Sequence, residues 1–235
     1  IEDASHSLGS SYFINKKKFM CGDCNHADLA TFSFHPVKII TTAEGGAALT
    51  NDKKIYKKLS QLGAHGITRE KKYLKDKKKD NWYYEHQMLG YNYRLNDIQS
   101  ALGISQLNNL NKWIKTRNHI ADQYIKKFKN LPISYQKVEK RIKSAYHLFV
   151  IIVKNNEKKR TRNELYKYLK AKKIMTNVHY IPIHKQPFFK KFNFKSVNYK
   201  NAEYYYKNCL SIPMHAGLTK KNQTKIINCI INFFK

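Results

Sequence analysis

Ser33-Phe34-His35-Pro36-Val37-Lys38 is the stretch on which the reading of this chain turns. Leu29 to Phe34 alternates and is rich in β-formers, which predicts a strand. Lys38 follows that strand directly, so its stem is anchored while its amine stays free. Thr41 to Gly46 reads as a turn-rich connection and Ala47 to Thr50 as a second short strand. A lysine after a strand is ordinarily a solvated lysine, and this chain has many. Lys38 is singled out by its company: Ser33 before it, Gly45-Gly46 after it and the acid Asp3 upstream.

Working outward, Ile1-Glu2-Asp3 reads as the end of a buried strand followed by a functional acid. The chain is therefore expected to be the C-terminal fragment of a longer protein. Asn15 to Asn25 reads as a loop. Asn51 is expected to start a helix running to about Leu62, and polar Gly63 to Asp80 to form a loop. Asn96 and Gln99 form a capping-box pattern. Behind it, Ile98, Ala101, Leu102, Leu107, Leu110, Trp113, Ile114, Ile120, Ala121, Tyr124 and Phe128 recur at helical spacing, which predicts one long helix or two consecutive ones. Past Pro132 the pattern changes. Tyr146 to Val153 and Ile174 to Tyr180 read as strands, and Thr161 with Glu164 caps a helix to about Lys172. Tyr199 to Leu210 and Thr219 to Phe234 read as helices. The series predicts two domains, 1–130 and 131–235, the second a compact α/β or α+β module.

The formal charge of +29 is the loudest bulk signal. It is dispersed, and Lys, Ile, Asn, Tyr and Phe, the residues of AT-rich codons, are all heavily used. No nucleic-acid-binding motif accompanies it, so the charge reads as compositional bias and no nucleic-acid partner is expected. A basic surface still attracts small anions such as a nucleotide-linked substrate. No signal peptide opens the chain, and Ile226 to Phe234 is too short to span a bilayer. These features predict a cytoplasmic protein with no membrane partner. Cys21-x-x-Cys24 with His26 lacks a second ligand pair at matching spacing, so no metal site is expected and the thiols read as ordinary ones in a reducing compartment.

Three pieces carry chemistry together: Glu2-Asp3-Ala4-Ser5-His6, Ser33 to Lys38, and Gly90-Tyr91-Asn92-Tyr93-Arg94. With Thr42-Ala43-Glu44-Gly45-Gly46-Ala47, His65-Gly66, Leu89-Gly90 and Asp97-Ile98-Gln99, they resemble the DegT/DnrJ-type sugar aminotransferases over essentially the whole chain. The resemblance implies an α/β architecture: the C-terminal part of a type I aspartate-aminotransferase-like fold, with a mixed sheet from the large cofactor domain and a smaller α/β C-terminal domain. It implies pyridoxal 5'-phosphate as cofactor and Lys38 as the catalytic lysine that holds it as a Schiff base and moves protons at the substrate carbon. Asp3 is then the anion opposite the pyridine nitrogen, His6 the contact to the phenolic oxygen and Ser33 a phosphate donor. Asn92 is the residue that reaches the phosphate across a homodimer interface. Tyr180 and His184 fall in the family's late substrate-side segment, and His184 reads equally well as a structural histidine. His35 and His65 read as structural. The distance from Asp3 to Lys38 exceeds the family's usual spacing, and the excess is expected in the Asn15 to Asn25 loop.

The wording around Lys38, with Gly66-Ile67 and Trp82-Tyr83-Tyr84-Glu85, is closest to a branch that aminates a UDP-linked 4-keto-6-deoxy sugar on the pseudaminic-acid route. Glutamate is the amino donor that this resemblance implies. Two other readings compete. Dehydratase relatives on the same fold carry His where Lys38 stands. A basic binding fragment without activity would explain the charge.

Overall fold

The computed structural model describes residues 1–192 and 198–235. They form two compact units, Ile1–Asn111 with Arg141–Ala145, and Lys112–Lys140 with Tyr146–Lys235.

The first unit is built on a small mixed sheet. Strand β1 (Glu2–Asp3) runs parallel to β4 (Ala30–Ser33), with Asp3 opposite Thr31. β4 pairs antiparallel with β5 (Gly46–Leu49), with Ser33 opposite Gly46. Along β4, Ala30 and Phe32 are buried while Thr31 and Ser33 are only half-buried, the period of two that a pleated strand imposes. Gly46 is required at its place, because a Cβ there would come within 2.6 Å of the Phe32 carbonyl.

Asn15 to Asn25 is not a plain loop. β2 (Ser11–Ile14) and β3 (Lys17–Met20) form a hairpin that also pairs with β9 (Ile142–Lys143). Asn15 and Lys16 both sit at positive φ (49° and 65°), as a two-residue hairpin turn demands. Tyr12 stacks on Phe19 across the pair.

Helix α1 (Lys53–Gly63) starts two residues later than expected. Asp52, not Asn51, is the cap, and its carboxylate accepts from Lys54 N (2.6 Å) and Ile55 N (3.0 Å). Within the span expected as a loop, Ile67–Thr68 forms β6 and pairs with β7 (Glu85–His86). The Glu85 carboxylate accepts from Lys75 N (2.8 Å) and Asp76 N (3.0 Å), and these bonds hold it below the usual carboxylate range.

The long apolar stripe is realised as two helices, α2 (Asp97–Leu107) and α3 (Leu110–Phe128). The Asn96/Gln99 capping box is present: Gln99 N donates to Asn96 Oδ1 (2.9 Å) and Asn96 N to Gln99 Oε1 (3.3 Å). α2 does not bury its apolar side chains; Ile98 is 84% exposed. α3 does bury Ile114, Ile120, Ala121, Tyr124 and Phe128, and most of these join the core of the second unit. That core draws α3 into the second unit, so the two units part at Asn111–Lys112 and not near residue 130.

The second unit carries an antiparallel sheet in the order β11 (Cys209–Ile212), β10 (Phe149–Val153), β8 (Ile133–Tyr135). α4 (Arg162–Ala171) and α6 (Lys220–Phe234) contribute Leu165, Leu169, Ile226, Ile230 and Phe233 to its core, while α5 (Lys200–Asn208) buries no side chain fully. Burying each such side chain stabilises the unit by roughly 1.5–3 kcal/mol. The Thr161/Glu164 capping box opens α4 as its sequence pattern requires. Two expectations are corrected. Ile174 to Tyr180 is not a strand, since Asn177 alone bridges to Ser211 and its side chain turns back to Val178 N (2.8 Å). The helix expected to reach Leu210 ends at Asn208, and the apolar run after it becomes β11.

Candidate active site

Asp3 and Ser33 lie where two parallel strands end. Asp3 is the last residue of β1, and its Oδ1 accepts from Ser5 N at 3.0 Å. Its carboxyl is held below the ordinary range, first by the Ser5 side chain and then by the Ser5 N–H, against a small opposing effect of burial. The positive charges of His6 and Lys38 lower it further. Asp3, His6 and Lys38 are therefore electrostatic neighbours, although thirty-odd residues of chain separate the first from the last.

Local hydrogen bonds hold the backbone at Lys38. His35-Pro36-Val37-Lys38 is a β-turn closed by Lys38 N to His35 O (2.9 Å), with Pro36 where such a turn favours it. Phe34 N donates to Gly45 O (2.8 Å) and Thr42 N to Phe34 O (2.9 Å), which pinches the loop at its base. Ile39 and Ile40 are buried immediately after the lysine. Ser33 ends β4, and its Oγ accepts a long bond from His35 N (3.4 Å).

Asn92 sits elsewhere in the same unit. Gly90 to Arg94 is held against the end of α1 by Tyr91 N to Leu62 O (2.6 Å) and Tyr93 N to Gly63 O (2.9 Å). Asn92 is exposed, and among the described residues no hydrogen bond joins its side chain to Asp3, Ser33 or Lys38. Leu89 and Tyr93, 91% and 76% exposed, flank it. A concavity of about 930 Å³ opens on the far end of the lysine loop, lined by Glu44, Gly46, Tyr56, Tyr91, Arg94 and Gln99; Asp3, Ser33 and Lys38 do not line it.

Tyr180 and His184 lie in the second unit. Tyr180 is exposed. His184 Nε2 is 3.0 Å from Glu203 Oε1, and its ring stacks on Tyr199 at 4.4 Å. The His35 ring lies 4.0 Å from the Glu44 carboxylate.

Three contributors were not visible as such in the sequence. Ser5 fixes Asp3, a two-residue turn bond that an Asp-Ala-Ser string signals weakly. Thr42 is buried and donates to Glu44 O (2.8 Å), and Gln99 Nε2 donates to the same carbonyl (2.9 Å). The two cysteines serve locally. Burial, with the Glu2 charge, pushes the Cys21 thiol up to about 11, and Cys24 Sγ donates to Leu49 O at 3.2 Å.

The profile of the DegT/DnrJ/EryC1/StrS aminotransferase family matches residues 1–231. The chain belongs to that family. A UDP-4-amino-4,6-dideoxy-N-acetyl-beta-L-altrosamine transaminase of Campylobacter jejuni is 40% identical over 223 residues, 94% of this chain and 55% of its own. An enzyme of the same name from Helicobacter pylori is 34% identical over 238 residues, 100% of this chain and 58% of its own. Among solved structures, Helicobacter pylori PseC, an aminotransferase involved in pseudoaminic acid biosynthesis, superposes with a TM-score of 0.83 at 34% identity, covering 99% of this chain and 58% of that one. The pyridoxal-phosphate form of the sugar aminotransferase Spr1654 from Streptococcus pneumoniae superposes with a TM-score of 0.82 at 30% identity, covering 96% and 55%. The α/β fold is thus that of sugar aminotransferases. The chain spans 55–58% of the length of these relatives. No helix among the described residues is long and apolar enough to cross a membrane.

Pyridoxal phosphate suits the residues present. The donor set offers a carboxylate kept ionised, a primary amine whose charge it feels, and a hydroxyl at the end of the same sheet. These are the groups its ring nitrogen, aldehyde and phosphate require.

Proposed function

We propose that this chain carries the cofactor-binding lysine and the substrate-side segment of a sugar aminotransferase. Its substrate is a UDP-linked 4-keto-6-deoxy sugar, its amino donor glutamate, and its product lies on the pseudaminic-acid route. The observation that carries the reading is the placement of Asp3 and Ser33 at the ends of the parallel strands β1 and β4, with the β-turn that bears Lys38 directly after Ser33 and its charge felt at the Asp3 carboxyl. Bound pyridoxal phosphate supplies an electron sink for the carbanion that forms at the amino-bearing carbon.

Everything else falls to the chain's own side chains. The Lys38 amine anchors the cofactor aldehyde and carries the proton to and from the reacting carbon. The β-turn and the buried Ile39–Ile40 pair hold its backbone, so the search of the amine is confined to its own side-chain rotamers. Asp3, ionised at neutral pH, holds a proton on the ring nitrogen. Ser33 donates its hydroxyl to phosphate and His6 contacts the phenolic oxygen. Asn92 reaches the phosphate of a second copy; the exposed Leu89, Tyr93 and Ile98 beside it supply apolar surface for such a homodimer. Tyr180, exposed, meets the sugar nucleotide, and His184 orients the segment that bears it.

The test is reduction with borohydride after adding pyridoxal phosphate, followed by peptide mass analysis. The expected result is a pyridoxyl adduct on Lys38, lost in Lys38→Ala, together with amino transfer from glutamate to a UDP-linked 4-keto sugar. Adducts scattered over surface lysines, unchanged by Lys38→Ala, would overturn the reading.

A further inference from the structure

A cavity of about 410 Å³ lies wholly within the second unit, on residues that the aminotransferase reading does not use. The end of β10, the connection to α4, the first turn of α4 and the last turn of α5 enclose it. Five of its twelve lining residues are cationic: Lys154, Lys159, Arg160, Arg162 and Lys207. Lys and Arg supply 45 of 235 residues in the whole chain, so their share here is about twice the average. None of the twelve is acidic, and four are asparagines.

The two arginines are fixed by direct contacts to neutral groups. Arg162 Nε donates to Lys207 O (3.2 Å) and Nη2 to Tyr206 O (3.0 Å), both neutral acceptors at the end of α5. The Arg160 guanidinium lies over the Phe233 ring, 4.7 Å from its centroid. None of the five cations forms an ion pair among the described residues. Glu164, whose carboxyl feels the Arg160 charge, accepts from Thr161 N (2.7 Å) and Thr161 Oγ1 (2.9 Å) in the capping box. That box already occupies the start of α4, so the site rests on the side-chain cations and not on the helix end.

Like charges crowded into a concavity repel one another and focus a positive potential into it. Removing that cost takes an anion of more than one charge. Arginine forks match phosphate oxygens and lysines add point charges, whereas a single carboxylate would leave most of the cations unpaired. The volume falls in the range of small-molecule sites. We propose that this pocket binds a small molecule through a phosphate or diphosphate group, at a site separate from the cofactor lysine.

Isothermal titration of the 235-residue chain with inorganic pyrophosphate tests this. Lys154→Gln, Lys159→Gln and Lys207→Gln combined remove three exposed charges and no structural hydrogen bond of a side chain. Lys71→Gln, Lys77→Gln and Lys78→Gln combined make the same charge change in the first unit. The pocket variant is expected to weaken pyrophosphate at least about tenfold, and the control less than about twofold. Parallel titrations with inorganic phosphate and UDP separate the sources: tighter UDP binding assigns a nucleotide, equal binding a bare phosphate group. Equal losses in the two variants, no loss in the pocket variant, or no binding by the unmodified chain would each overturn the proposal. Pyrophosphate held at Ser33 instead would appear as no loss in the pocket variant.

Discussion

Gln99 donates its side-chain amide to the carbonyl of Glu44 at 2.9 Å, while its own Oε1 accepts from Asn96 N. One side chain thus closes the cap of α2 and holds the far end of the loop that carries Lys38. Gln99→Glu keeps an acceptor for the cap and loses the donor to Glu44; Gln99→Ala loses both. Urea unfolding is expected to show a loss of about 1 kcal/mol for Glu and about 2 for Ala. Equal stabilities for the two variants would separate the cap from the loop.

Glycine at position 66 answers a backbone demand that position 63 lacks. Gly66 has φ +71°, and a Cβ there would collide with the Met88 carbonyl. A Cβ at Gly63 meets nothing within 4 Å. Gly66→Ala is expected to cost more than about 3 kcal/mol, and Gly63→Ala to be neutral or to stabilise by up to about 1 kcal/mol. Thermal unfolding of the two variants checks the contrast.

Much of this architecture could be read directly. Both capping boxes are local patterns in which the residues that signal the helix start also make the bonds, so Asn96/Gln99 and Thr161/Glu164 needed no tertiary information. The β2–β3 hairpin was hidden because its turn, Asn15-Lys16, lacks the glycine that announces such turns, and its third strand, Ile142–Lys143, lies far off in sequence. The apolar stripe from Ile98 to Phe128 gave the helices but not their burial, because periodicity says which face is apolar and not what covers it. At the candidate site, Lys38 and Asp3 are ordinary in residue type, and only the resemblance of the motifs around them to the family singles them out. Ser5 could not be credited with holding Asp3 ionised, since that depends on where one hydroxyl and one N–H point.

Arg117 is a buried cation on α3 that ties two further backbone segments together, Tyr146–His147 and Met214. Its Nη1 donates to Tyr146 O (3.1 Å), His147 O (3.3 Å) and Met214 O (3.0 Å), and burial lowers its pKa from the ordinary arginine value. Arg117→Ala is expected to cost more than about 3 kcal/mol, because the carbonyls lose a charged donor and a cavity opens. Arg117→Lys is expected to recover only part of this, since a single amine cannot reproduce the reach of the guanidinium. Denaturant unfolding followed by Tyr fluorescence reads the difference.

Glu203 predicts an acid-sensitive link in the segment that bears His184. Its carboxyl is held below the ordinary value, first by the hydrogen bond to His184 and then by that to Lys185. A depressed folded pKa means that the contribution is fully present above the unfolded glutamate value and is lost as pH falls through the folded one. Hydrogen exchange of residues 183–185 is therefore expected to accelerate below about pH 4, with a step that Glu203→Gln removes. An unchanged step in the variant would place the acid sensitivity elsewhere.

Asp3 carries the same sign with a different consequence. Ser5 bonds and the charges of His6 and Lys38 keep it ionised, so its stabilising contribution is present above the unfolded aspartate pKa and fades only in acid. Ser5→Ala removes the largest of these effects and is expected to move the Asp3 titration upward, as carboxyl NMR would show, while Asp3 remains ionised at neutral pH. Asp3→Asn keeps an acceptor for Ser5 N but carries no charge to hold a proton on a pyridine ring. If the proposed role of Asp3 holds, Asn at this position weakens retention of added pyridoxal phosphate at least about tenfold in dialysis, the equivalent of about 1.4 kcal/mol. Ser5→Ala changes retention little at pH 7 and more as pH falls toward the raised Asp3 value. Equal retention by the wild-type chain and Asp3→Asn across that range would remove Asp3 from the cofactor site.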